Sequence, residues 1–264
     1  MNIWAVANQK GGVGKTTTTV TLAGLLVQRG YRVLVLDLDP HGSLTSYFGF
    51  DPDAVEESIY TLFDMASRKS AVLAEDVLLQ TDIERLDLLP AAPALATLDR
   101  QLGVMQGMGL VLKRALGSLS EQYDFAIMDC PPVLGVLMVN ALAACERLLI
   151  PVQTDFLALK GLERMMRTLS MIMRARHTQV PCTIIPTMFD AEIWSCLESL
   201  QTLKQRYNGE LWQAEVPVDS QFRDASRTGM PLPLVNPHSP GVSAYRLLLD
   251  ETLLTGAMLD QQTA

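Results

Sequence analysis

The stretch NIWAVANQKGGVGKTTTTVTLAGLL, residues 2–26, decides the fold. Its first part, IWAVAN, is a short apolar run of the kind that forms a buried parallel strand. A glycine loop follows, KGGVGKTT, Lys10 to Thr17. From Thr16 to Arg29 the apolar residues Val20, Leu22, Ala23, Leu25, Leu26 and Val27 predict a helix, which Gly30 stops. Strand, glycine loop and helix in that order make a phosphate-binding unit. Glycines permit the turn that lets the backbone N–H groups of Gly12 to Thr16 converge on phosphate oxygens. The helix N-terminus adds positive potential. Lys15 can reach the terminal phosphates, and the Thr16 hydroxyl can sit on Mg²⁺. One feature departs from the ordinary loop: a second lysine, Lys10, stands at its front, five residues before Lys15.

Outward from this unit the pattern repeats. RVLVLDLDP, YDFAIMDCPP, RLLIPVQ and CTIIPTMF read as further buried strands, LDLLP as a short one and LWQAEVP as the last. Helices are expected over 55–66, 95–119, 157–176, 192–207 and 243–254, with loop and a short helix over 42–53 and a proline-rich loop over 230–241. Alternating strands and helices predict an α/β fold: a mostly parallel twisted sheet flanked by helices on both faces. With no repeat and no domain linker, residues 1–264 read as a single domain.

Composition sets limits. The chain has 264 residues, 48% of them hydrophobic, and a formal charge of −8, which argues against an all-over basic coat but leaves room for a local basic patch. Cys130, Cys145, Cys182 and Cys196 lie far apart with no CxxC pair, as expected of scattered thiols in a reducing compartment rather than of a metal site. No basic leader and no apolar run of the roughly 18–20 residues that span a bilayer is present, so a cytoplasmic protein is expected.

KGGVGKTT resembles the deviant Walker motif of the ParA/MinD class of P-loop ATPases. The likeness continues through VLVLDLDPHGSLTSYFG, YDFAIMDCPPVLGVLMVNAL and LLIPVQTDFLALKGLERM, in the order and spacing of the ParA/Soj branch. It implies a slow, partner-stimulated ATP hydrolase with ATP and Mg²⁺ as cofactors. The loop residues Gly11, Gly12, Val13, Gly14, Lys15, Thr16 and Thr17 would bind the nucleotide. In such proteins two ATP-bound monomers form a face-to-face homodimer, and the lysine at the Lys10 position reaches the nucleotide of the other subunit. A lysine given in trans adds positive charge where the transferring phosphate develops negative charge. Dimerisation then depends on the γ-phosphate, which makes a switch.

Asp37 and Asp39 end a strand and start on one face. Carboxylates at that edge of a parallel sheet sit beside the ligand crevice, although an outward, solvated pair is also open on sequence grounds. By resemblance Asp39 positions the attacking water, Asp37 lies near Mg²⁺ through water, and Asp129 is the Walker B carboxylate. Lys10, Lys15 and Asp39 are thus the catalytic set, and Thr16, Asp37 and Asp129 the metal set. His41 stands where the family usually has Gln and reads as a surface variant or a base. Met188 and Pro217 would flank the adenine, with Asp219 where Asn is common; strand-end packing is the other reading of Met188.

The implied partners are a second copy of the chain, a cargo or polar adaptor protein that stimulates hydrolysis, and nucleoid DNA bound without sequence preference. KGLERMMRTLSMIMRARH, 160–177, carries Lys160, Arg164, Arg167, Arg174 and Arg176 against Glu163, a net +4, and is a DNA candidate. It is equally an ordinary solvated helix face. Two arginines of the family's C-terminal segment are Val218 and Gln221 here, while Arg223 and Arg227 appear nearby; a loop that is often Arg-rich reads Ala191-Glu192-Ile193-Trp194. VPVDSQFRDAS, DPHGSLTSYFG and MGLVLKRAL look like the chemotaxis-associated orphan ParA-like proteins, often called ParC, which place chemoreceptor arrays at the pole. A chromosome or plasmid partitioning protein is the alternative. A MinD-like membrane regulator needs a basic amphipathic end, and the segment after Arg246 carries Asp250, Glu251 and Asp260 with no Lys or Arg. An iron–sulfur carrier needs paired cysteines, and the synthetase-like enzymes of the superfamily stand beside it as a third reading.

Overall fold

The computed structural model describes residues 1–70, 73–98, 101, 107–176 and 179–263. Its centre is a seven-stranded sheet. Strands β1 (Asn2–Val6), β2 (Val33–Asp37), β4 (Leu86–Leu89), β5 (Phe125–Asp129), β6 (Arg147–Gln153) and β7 (Cys182–Thr187) are parallel, in the order β4-β2-β5-β1-β6-β7. A short strand, β3 (Leu79–Gln80), pairs antiparallel with β4 at one edge. Every residue of VLVLD and FAIMD is buried. Helices cover both faces, so a strand here has no solvent side and cannot alternate apolar with polar.

The helices are α1 (Lys15–Gln28), α2 (Ser43–Tyr47), α3 (Ile59–Ser67), α4 (Val111–Ser118), α5 (Val136–Ala144), α6 (Phe156–Arg176), α7 (Trp194–Arg206), α8 (Gln221–Thr228), α9 (Leu232–Val235) and α10 (Pro240–Thr263). One core layer packs α3 to α6 under the sheet, through Phe63, Leu112, Leu116, Met138 and Leu162. The other packs α1, α8 and α10, through Leu22, Leu25, Ala225, Tyr245 and Leu249. Gly24 makes the close approach of α1 possible: a Cβ there would lie 2.6 Å from Pro231 Cβ. Thr18 Oγ1 and Tyr245 Oη, both buried, are 2.7 Å apart and join α1 to α10. Cys130, Cys145 and Cys196 are buried and Cys182 partly so, all without disulfides, and burial pushes the Cys145 thiol up to about 12.

Several expected boundaries change. The helix expected over 95–119 is not continuous: a 3₁₀ turn at Pro93–Thr97 leads into helical residues at Leu98 and Gln101, and a second 3₁₀ turn at Met108–Leu110 leads into the helix α4. Gly107, at φ +87°, ends any continuous helix before Met108; residues 99–100 and 102–106 of that span lie outside the described residues. The helix expected from Val55 starts at Ile59, because Ser58 accepts from the Tyr60 amide and donates its own amide to Thr61 Oγ1. LWQAEVP is not a strand. It runs beside β7 and the residues after it through the isolated bridges Ile184↔Leu211 and Phe189↔Pro217 and the Val216 amide bond to the Pro186 carbonyl, without a continuous ladder, and Pro217 has no N–H to extend one. The loop expected over 230–241 contains α9 and the start of α10, and the short, mostly polar α8 is not expected from the sequence. No helix among the described residues is long and apolar enough to cross a membrane.

Candidate functional site

Parallel strands all end at one edge of the sheet, and their C-terminal residues meet there. The register pairs Val6 with Asp129 and Asp37 with Asp129, so the end of β1 lies level with both carboxylates. The glycine loop rises from this level into α1. Gly12 and Gly14 take φ +75° and +93°, which only glycine adopts easily. A Cβ at Gly11, Gly12 or Gly14 would meet nothing within 4 Å, so the loop encloses open space rather than packed side chains. Val13 is buried, and its carbonyl accepts the Thr187 hydroxyl at 2.9 Å, which moors the loop to the end of β7. The Asn8 side chain moors its other end, donating to the Pro151 carbonyl and accepting the Lys10 amide. Sequence reading missed Asn8 and Thr187; polar residues at strand ends next to a glycine loop are the signal that marks them.

Lys15 is 8% exposed, and its Nζ donates to the Lys10 carbonyl at 3.3 Å, across the loop. Beneath it, Thr16 Oγ1 donates to Asp129 Oδ2 at 2.6 Å. Asp129 Oδ1 is buried and has no hydrogen-bond partner. Burial and the neighbouring Asp37 charge push the Asp129 carboxyl up, against the Thr16 bond and the Lys15 charge. A buried carboxylate oxygen with no donor is costly unless a cation meets it. Open glycine cradle, buried lysine and unpartnered Asp129 oxygen together fit phosphates with a divalent ion.

Asp37 has a second task. Its Oδ2 accepts both the amide and the hydroxyl of Thr45, at 2.7 and 2.8 Å, and its Oδ1 accepts the Asp39 amide. The carboxylate thus sits at the N-terminus of α2, where the helix dipole favours negative charge. Burial still pushes Asp37 up to about 6, against those bonds. The solvated-pair reading fails for Asp37, which is fully buried. Asp39 is only partly buried, and its Oδ1 accepts the amide and Nδ1 of His41 at 3.1 and 2.8 Å. His41 therefore has the carboxylate partner that sequence alone did not reveal.

Lys10 is tied back within its own chain. Its Nζ meets Asp155 Oδ2 at 2.5 Å and Gln153 Oε1 at 3.3 Å. Asp155 also caps α6, accepting the Ala158 amide on Oδ1 at 2.8 Å. Burial pushes the Asp155 carboxyl up, but the bonds from Lys10 and Ala158 outweigh it and hold the group below the usual range.

On the expected base side, Met188 and Pro217 are brought together by the Phe189↔Pro217 bridge. Met188 holds φ +52°, an uncommon conformation for a non-glycine residue. Asp219 is turned inward: Oδ1 accepts the Gln221 amide and Oδ2 the Gly241 amide, which fixes the starts of α8 and α10. The basic candidates are not brought together. Lys160, Arg164, Arg167 and Arg174 share one exposed face of α6, a helix whose opposite face packs into the first core layer. Arg223 and Arg227 lie on α8, which packs with the second layer on the opposite side. Glu163 binds Lys160, Arg167 and Arg206, reducing the free charge of α6. His177 lies outside the described residues.

A model of the family described as an AAA domain matches residues 1–181. The sporulation initiation inhibitor protein Soj of Bacillus subtilis is 34% identical over 96% of this chain and 99% of its own length. The chromosome partitioning protein ParA of Myxococcus xanthus is 31% identical over 93% and 86%. Among solved structures, a cobyrinic acid a,c-diamide synthase of Mycobacterium smegmatis with bound ADP and magnesium reaches a TM-score of 0.80 at 33% identity, over 96% of this chain and 94% of its own. A Cyanothece McdA–ATP complex reaches 0.83 at 21% identity, over 96% of each chain, a likeness of fold alone.

Proposed function

This chain belongs to the ParA/MinD-type P-loop ATPases of the AAA domain family, and on that footing we propose that it is an ATP-dependent dimerising switch that positions a cellular cargo. It is an ATP hydrolase, and the relative solved with ADP and magnesium supports ATP and Mg²⁺ as its cofactors. The observation that carries the reading is the unpartnered Asp129 oxygen beneath an open glycine cradle. The amides of Gly12 to Thr16 hold the phosphates, and Lys15 neutralises their terminal charge. Thr16 and Asp129 would hold Mg²⁺, whose charge would stabilise the phosphoryl oxygens as the bond to them breaks. Asp37 stays behind them, seating the loop through Thr45. That seat presents Asp39, which orients the attacking water. Lys10 leaves Asp155 and reaches across to the second subunit's nucleotide. Met188 and Pro217 flank the base, with Asp219 supporting them from behind. Residues 1–264 act as one domain.

The test is a pair of variants. Lys15→Ala or Thr16→Ala is expected to lose ATP–Mg²⁺ binding by isothermal titration. Asp39→Ala is expected to bind ATP, stop turning over and accumulate as dimer by light scattering. Unchanged affinity in both loop variants sinks the phosphate-loop assignment.

The cargo we assign is a chemotaxis array at the cell pole, reached through a polar adaptor protein in the cytoplasm. VPVDSQFRDAS supports it, with Val218 and Gln221 at the positions where a dedicated DNA segregator has arginines, and so does the Glu192-Ile193-Trp194 loop, which carries none. The split of basic residues between two faces of the sheet points the same way. Chromosome partitioning is the second reading, favoured by the names of the relatives. DNA retention by the ATP-loaded Asp39→Ala dimer across a salt series separates them. Binding that falls steeply with salt supports the nucleoid as the track; no binding at low salt leaves the protein-anchored polar mechanism.

A further inference from the structure

Arg223 is a cation for which the phosphate-loop chemistry has no use so far, and its surroundings say what it is for. It lies on the wall of a cavity of about 270 Å³ between α1, α2 and α8, together with Thr16, Thr17, Thr21, Ser43 and Phe222. Two of these, Thr16 and Thr17, belong to the glycine loop itself. The cavity is thus continuous with the phosphate cradle, yet it runs along α1 away from the crest at Gly12. It is rich in hydroxyls and has two aromatic rings, Tyr47 and Phe222, and one guanidinium.

Arg223 is held in place by its element. Asp219 fixes the start of α8 by accepting the Gln221 amide at 3.0 Å. Beyond its end, the Tyr47 hydroxyl of α2 donates to the Met230 carbonyl at 2.9 Å. Gly229 there takes φ +70°, and a Cβ on it would lie 3.2 Å from the Tyr47 carbonyl oxygen. The Arg223 guanidinium is exposed and has no acidic partner among the described residues. It sits on the opposite side of the sheet from the α6 arginines, so the two groups do not form one nucleic-acid surface within a subunit.

We infer that Arg223 is a nucleotide-binding residue, serving the sugar and the α-phosphate rather than DNA. The inference rests on the phosphate-loop reading above. A nucleotide whose terminal phosphates occupy the crest and whose base meets Met188 and Pro217 must lay its middle between them. The chain runs from Pro217 through Asp219 directly into α8, so Arg223 is carried from the base wall to the loop hydroxyls. A guanidinium offers several donors in a fixed fork, which suits a phosphate oxygen beside a sugar hydroxyl. Where a relative carries a small residue at this position, the pocket would lack that fork.

The experiment is isothermal titration of the full chain with two probes, Mg–ADP and inorganic pyrophosphate. Pyrophosphate needs only the crest of the loop; ADP also needs its sugar end held. Arg223→Gln is expected to weaken ADP about tenfold, the loss of one charge-assisted bond in a half-open site. Its pyrophosphate affinity is expected to stay within about twofold, and Arg223→Lys to fall between Gln and wild type for ADP. ADP affinity unchanged in Arg223→Gln overturns the inference. So does an equal loss for both probes, which would put the side chain at the terminal phosphates. Retained ADP affinity with lost DNA retention on the Asp39→Ala background returns Arg223 to a DNA role. Lys15→Ala serves as the second arm: it is expected to lose both probes, and if it keeps them the phosphate-loop reading itself fails, whatever Arg223 does.

Discussion

If Lys10 acts on the second subunit, it must first leave Asp155, and the cost of leaving can be worked out. The contact is a 2.5 Å ion pair between side chains 30% and 34% exposed, backed by a longer bond to Gln153. A pair so exposed contributes about 0.7 kcal/mol. Each protomer breaks one such pair on dimerising, so the dimer forgoes about 1.4 kcal/mol, or about tenfold in its dissociation constant. Asp155→Asn removes the charge and keeps the α6 cap, since Asn accepts the Ala158 amide as well as Asp does. The variant is therefore expected to dimerise about tenfold more tightly in ATP–Mg²⁺. The assay is sedimentation equilibrium on the Asp39→Ala background, with thermal melting of the nucleotide-free protein as a check on the cap. Adding Lys10→Ala to Asp155→Asn is expected to abolish the dimer. A dimer constant unchanged or weakened by Asp155→Asn, with the melt unchanged, would refute the release of Lys10 as a step. The wild-type dimer is also expected to gain slightly from moderate salt, which screens the pair that opposes it.

Other expectations concern the carboxylates, the switch loop and the basic helix. Asp129→Asn removes a buried carboxylate with an unpartnered oxygen, so the nucleotide-free protein should resist urea better while losing Mg²⁺-dependent nucleotide binding. Asp37, raised by burial to about 6 in the fold from its ordinary 3.8, binds more protons folded than unfolded between those values. Its contribution to stability is present below that range and lost as pH rises through about 6, by roughly 3 kcal/mol in all. Denaturation of wild type and Asp37→Asn at several pH values should show the difference narrowing in that direction, and a difference flat with pH contradicts the burial argument. Gly42, at φ +63°, would put a Cβ 2.2 Å from Pro52 Cγ, so Gly42→Ala should destabilise by roughly 1–3 kcal/mol and slow hydrolysis through a displaced α2. Arg164→Glu with Arg167→Glu should leave the ATP dimer intact and remove any DNA retention; retention that survives the pair moves the DNA surface elsewhere.

Much of the site was legible because its chemistry is local. Gly12, Gly14, Lys15 and Thr16 sit within one turn and the start of one helix, so their spacing alone predicts a phosphate cradle. Asp37 and Asp129 end apolar runs, and parallel strands bring such ends to one edge whatever the strand order. What failed in the sequence had equally plain reasons. The 95–119 pattern kept helical periodicity across Gly107, whose positive φ breaks it. LWQAEVP kept strand composition although Pro217 cannot donate to a ladder. α8 gave little signal, since its short polar sequence is held by Asp219 and by Tyr47 of a distant helix.

The sequence by itself determined the fold class, the phosphate loop and the lysine at its mouth, because those depend on residues close along the chain. Tertiary structure alone decided who holds whom. It gave Lys10 to Asp155, 145 positions away, gave His41 to Asp39, and turned Asp37 toward Thr45. It also separated the arginines of α6 from those of α8 by placing the sheet between them. A charge counted along a chain carries no information about which face of a sheet its helix will cover; only the crossover path of the folded chain supplies that.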